Sequence, residues 1–125
     1  MHDTNSLLPR FGLERFQSRQ EANLLVVLVP DRDLLSVIRN LIEEQHLDLK
    51  TVVATDERNT EKGFIVRYIF SVPKETVFFA VELTVDPSET AFPSLVSVSQ
   101  AFSLYEQEIK SMFGLEPVGH PNPPR

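Results

Sequence analysis

Two carboxylates near the C-terminus, Glu106 and Glu108, come closest in type and spacing to acid–base chemistry. A working pair must converge on one reacting group. Residues two apart on a helix point to different faces, so these two diverge if residues 103–113 are helical. Glu106 stands with Ser103, Gln107 and Lys110 on a polar side, and Ser103-Leu104-Tyr105-Glu106 fits a capping box, with Ser103 accepting from the Glu106 amide. Glu108 shares its side with Tyr105, Ile109 and Met112, which read as facing the core. A carboxylate there needs Arg67, a cation on a partner chain, or an edge position that reaches water.

The remaining chemistry-bearing residues are dispersed. His2, His46 and His120 stand at no ligand spacing from one another, and the four glycines are isolated, so no phosphate-cradling loop is present. There is no cysteine, which excludes disulfides and thiolate-held zinc or iron–sulfur centres. No residue is assigned a catalytic, cofactor-binding or metal-ligating role, and no cofactor is expected.

A chain of 125 residues, 42% hydrophobic and 24% charged, suits one globular domain. Its net charge of −6, without a basic cluster, argues against nucleic-acid binding. The longest apolar run, residues 24–29, is far too short to cross a bilayer, so direct membrane insertion is not expected, and no signal-peptide pattern opens the chain.

The elements follow from periodicity. Residues 1–10 read as a loose arm and 11–21 as a short helix with Leu13 and Phe16 inward. Residues 24–29 read as a central strand. Pro30 ends it, and Asp31 or Asp33 caps a helix carrying Leu34, Val37, Ile38, Leu41 and Ile42. Strands are expected at 50–55, 64–70, 76–86 and 92–98, the second and third of these forming an antiparallel hairpin. A helix to Phe113 stops at Gly114. Residues 115–125, with four of the nine prolines, read as an extended arm suited to lying along a partner. The whole is a two-layer α+β sandwich: a mixed, mainly antiparallel five-stranded sheet with helices on one face, residues 1–114 as the domain and 115–125 as the arm.

The C-terminal third resembles a known family. Tyr105 to Leu115, then Gly119-His120-Pro121 and Arg125, are similar to the signature of the 30 kDa subunit of respiratory complex I, an NADH dehydrogenase, without a gap from Leu104 to Arg125. Departures are Leu104 for the family's Trp, Gln107 for Arg, Ser111 for Asp, Pro117 for Phe, and Asn122-Pro123-Pro124 for Asp-Leu-Arg. Stopping at Arg125, the chain looks more like the short homologues of energy-converting nickel–iron hydrogenases and formate hydrogenlyase-type complexes.

The resemblance implies a cofactor-free docking subunit of an electron-transport oxidoreductase complex. It would pack against a large 49 kDa-like or nickel–iron hydrogenase large subunit, on the cytoplasmic face of the membrane. Glu106, Glu108, Phe113, Gly114, Gly119, His120, Pro121 and Arg125 are its candidate interface residues. The alternatives are a free-standing interaction or regulatory domain that reuses the fold, and a small enzyme using Glu108 or His120.

Overall fold

A computed structural model describes residues 6–60 and 62–119. Its elements are α1 (Leu7–Phe11), β1 (Ser18–Glu21), β2 (Leu24–Leu28), α2 (Asp31–Arg39), β3 (Asp48–Glu57), β4 (Gly63–Ser71), β5 (Phe78–Val85), β6 (Ala91–Pro93), α3 (Phe102–Phe113) and β7 (Glu116–Val118). Five strands form one mixed sheet in the order β1-β2-β5-β4-β3, and β6 and β7 form a separate parallel pair. Only β2–β5 is parallel within the large sheet; β1–β2, β5–β4 and β4–β3 are antiparallel.

The β4–β5 register explains the layering. It sets Val66 opposite Leu83, Tyr68 opposite Val81 and Phe70 opposite Phe79. All six are buried on the face that the helices cover. The α1 residue Phe11 meets Phe79 edge-on at 5.4 Å, and on α3 Phe102 and Phe113 meet Tyr68 and Phe64 at 6.0 and 5.9 Å. From α2, Leu34, Val37 and Ile38 enter the same core. Alternation along each strand sends Ile65, Arg67, Ile69, Ala80, Glu82 and Thr84 to the opposite face, which no described element covers.

Several expectations are corrected. The five-stranded sheet forms, but its fifth member is β1, not residues 92–98. Residues 18–21 are extended rather than helical, paired along β2. The helix instead lies at Leu7–Phe11, all but its last residue in the stretch expected to be loose, and it buries Leu7 and Phe11. Pro93 ends β6 after three residues, and Leu95 and Val96 reach the core from the following turn. Neither Asp31 nor Asp33 caps α2; both lie in its first turn, where they oppose the positive end of the helix dipole. From Asn40 to Glu44 the helix widens into a π turn, and Asn40 donates to the Phe11 carbonyl at 3.1 Å.

Candidate functional site

Helix α3 carries both carboxylates, and its rotation differs from the expected one. It starts at Phe102 with no side-chain cap, so Ser103 lies within the helix and the capping box does not form. Its buried side chains are Phe102, Glu106 and Ile109, a spacing of four and three that marks a single helical face. Gly114 ends the helix at φ 72°, as expected for a left-handed stop, and its amide donates to the Lys110 carbonyl at 2.8 Å.

Glu106 is therefore inside the protein, only 1% exposed. Ser94 Oγ donates to Oε1 at 2.7 Å, and the Leu95 amide donates to Oε2 at 2.7 Å. The Val96 amide in turn donates to Ser94 Oγ at 3.3 Å. Desolvating a carboxylate is costly, and short charge-assisted bonds offset that cost. The Glu106 side chain thus ties α3 to the turn after β6. Nearby, burial first and the Glu106 charge second push the Tyr68 phenol well above its ordinary range. The Tyr68 hydroxyl has no hydrogen-bond partner among the described residues.

Of the settings expected for Glu108, the one observed is the position that reaches water. Glu108 is exposed, as is Met112, while Ile109 alone of that set is buried. Arg67 does not meet it: the guanidinium lies on the opposite face of the sheet and binds Glu82 at 2.9 Å and Glu21 at 3.2 Å. Of the other candidate residues, Phe113 is half-buried against Phe64, and Gly119 is exposed at the end of the described chain. His120, Pro121 and Arg125 lie outside the described residues.

The first part of the expected arm belongs to the domain. Leu115 is fully buried, and β7 pairs with β6 through Phe92 and Pro117. Ser94, whose hydroxyl binds Glu106, also donates its amide to the Val118 carbonyl at 2.9 Å. Glu106, the β6 turn and β7 are thus one connected unit.

The uncovered sheet face holds a charge cluster that the sequence pattern does not announce. Glu82 accepts from Arg19 and from Arg67, each at 2.9 Å, and Glu21 bonds both arginines as well. The hydrogen bond from Arg19, and then that from Arg67, hold the Glu21 carboxyl below its usual range. Arg67 and Glu82 face each other in the β4–β5 register, a pairing that the expected hairpin allows but that only its register reveals. Arg19 and Glu21 fall in the segment expected to be helical, where their pairing across the sheet has no local sign.

Among the described residues no group of three His, Asp or Glu side chains is placed to hold a metal, and no helix is long and apolar enough to cross a membrane.

This mixed sheet with its α3–β7 end defines an α+β fold shared with two solved structures. A trypsin-resistant fragment of Nqo5 superposes with a TM-score of 0.79 at 18% identity, over 94% of this chain and 97% of that one. A chain of the membrane-bound sulfane sulfur reductase, an archaeal respiratory membrane complex, gives 0.77 at 15% identity, over 93% and 71%. Within that fold, the family described as respiratory-chain NADH dehydrogenase, 30 Kd subunit, matches residues 27–125, and the chain belongs to it.

Curated relatives agree. The C/D-type NADH-quinone oxidoreductase subunit of Methylococcus capsulatus is 30% identical over 94% of this chain and 22% of its own length. Formate hydrogenlyase subunit 5 of Escherichia coli is 31% identical over 82% of the chain and 18% of its own length. The C-type NADH-quinone oxidoreductase subunit of Brucella ovis is 31% identical over 82% and 54%. The chain thus spans a minor part of the first two relatives and about half of the third.

Proposed function

We propose that the chain is a cofactor-free docking subunit of a membrane-associated oxidoreductase, either a complex I-like NADH dehydrogenase or an energy-converting nickel–iron hydrogenase. It packs against the large 49 kDa-like subunit of that complex, on the cytoplasmic face of the membrane, and contributes shape and support rather than redox chemistry. The observation that carries this reading is the placement of Glu106. One of the two acids that match the family signature is bonded to the chain's own Ser94 and Leu95, so it shapes the C-terminal end instead of meeting a substrate. Family membership and relatives named as subunits of NADH-quinone oxidoreductase and formate hydrogenlyase support the same reading.

In this reading Glu108, Phe113, Gly114 and Gly119 form or flank the docking end, and His120, Pro121 and Arg125 continue it as an arm along the partner. Glu106 acts from within. The test is a chain shortened after Gly119, which keeps Leu115 and β7 and so keeps the domain. The expected result is lower recovery of the large subunit with an unchanged melting temperature. Equal recovery would remove the arm from the interface.

A further inference from the structure

The outward side of α3 carries an arrangement that the fold itself does not use. Leu104 and Met112 are each 72% exposed. Glu108 lies midway between them, four residues from each, so the three share one narrow side of the helix. Isolated exposed apolar residues are ordinary on protein surfaces. Two long apolar side chains flanking one carboxylate on a single helical line are less so, and here the core is already filled by the other side, through Phe102, Glu106 and Ile109.

Glu108 has no ion pair or hydrogen bond among the described residues. Lys110, the one basic residue of α3, is engaged with Glu116 at 2.9 Å. Covering Leu104 and Met112 necessarily draws Glu108 out of water, and an unpaired carboxylate opposes that. The cover therefore has to bring a cation or hydrogen-bond donors to Glu108 between two apolar contacts, and the chain's net charge of −6 favours a cation. A chain of net charge −6 favours a basic surface over its own kind, so a second copy is a poor fit. Anionic headgroups repel Glu108, so a lipid surface is a poor fit as well.

We infer that the Leu104–Glu108–Met112 stripe is a contact by which this chain seats on its large-subunit partner, against an apolar depression centred on a Lys or Arg of that partner. The inference rests on the docking reading above and specifies one place where docking occurs. It assigns Leu104 and Met112 to the interface and gives Glu108 the role of choosing a basic partner.

The test uses the assembled complex, recovered through a tag on the large subunit. Glu108→Lys and the double variant Leu104→Ser/Met112→Ser are each expected to lower co-recovery of this chain by about tenfold or more, the loss typical of a central interface residue. Glu108→Gln is expected to fall between these and the parent. All three side chains are exposed, so the melting temperatures of the variants should match the parent's.

Parent and variants recovered equally would overturn the stripe while leaving the docking reading intact. Failure of the parent chain itself to accompany the large subunit would overturn both. Variants that keep the large subunit but release the assembled complex from phospholipid vesicles would overturn the protein contact in favour of lipid.

Discussion

The Ser94 hydroxyl donates to Glu106 Oε1 across 2.7 Å, joining the turn after β6 to the inner face of α3. The next amide, Leu95, takes the other oxygen, so two adjacent residues of the turn are held by one carboxylate. That turn also binds β7, and the geometry of the chain's C-terminal end therefore depends on Glu106.

Glu106→Ala should cost roughly 3 kcal/mol, because it strands two buried donors. Glu106→Gln, which keeps one acceptor oxygen while the Ser94 hydroxyl is free to rotate, should cost roughly 1 kcal/mol. Urea unfolding of the three proteins measures both, and equal midpoints for parent and Ala variant would show that the tie contributes nothing.

Tyr68→Phe should leave stability near neutral pH unchanged or raise it by about 1 kcal/mol, since the hydroxyl is buried without a partner among the described residues. Its titration gives a second readout. Burial raises the folded-state value above the ordinary 10.0, so the unfolded chain loses the proton first and stability falls as pH climbs above that point. The Phe variant should lack this component of the alkaline decline. A destabilised Phe variant would mean that the hydroxyl has a bonding role.

On the uncovered sheet face, Glu82→Ala should cost about 1–3 kcal/mol, since it removes a largely buried carboxylate from two guanidinium groups. Glu21, at the rim of the same cluster, should act through pH. Its folded value is depressed, so its contribution is complete above the ordinary 4.5 and is lost as pH falls through the folded value. Glu21→Gln should flatten that acid limb in a series of urea melts, and an unaltered limb would show that the pairing is lost in solution.

Gly63→Ala should destabilise by more than about 1 kcal/mol. The residue sits at φ 81°, and an added Cβ would lie 2.4 Å from the Val85 carbonyl oxygen. Gly114→Ala meets the left-handed penalty alone, with nothing within 4 Å, and should cost less. Thermal melts of the pair check the order; the reverse order would contradict the close approach of β4 to β5.

The parts of this fold that follow from local pattern were legible. Strand β5 alternates through Phe79, Val81, Leu83 and Val85, α2 repeats Leu34, Val37 and Ile38, and Gly114 stops α3. What depended on distant partners was not. Strand β1 is a polar edge, Ser18-Arg19-Gln20-Glu21, held by pairing along β2, and carries no apolar alternation to announce it. The rotation of α3 departs from expectation because apolar type implies burial in one direction only. Glu106 turns inward for donors eleven and twelve residues upstream, and Leu104 and Met112 turn out. Of the candidate site, the spacing from Glu106 to Gly119 was readable, but which of its members face inward was not.

If this chain docks on a larger redox subunit and holds no redox group itself, both properties travel with it through purification. The direct measurement uses a tag on this chain, with the composition and the metal and flavin content of each recovered polypeptide determined after separation. The expected result is a stoichiometric large subunit beside it, and neither metal nor flavin on the tagged chain. A tagged chain recovered alone, or carrying its own metal or flavin, would contradict the docking role.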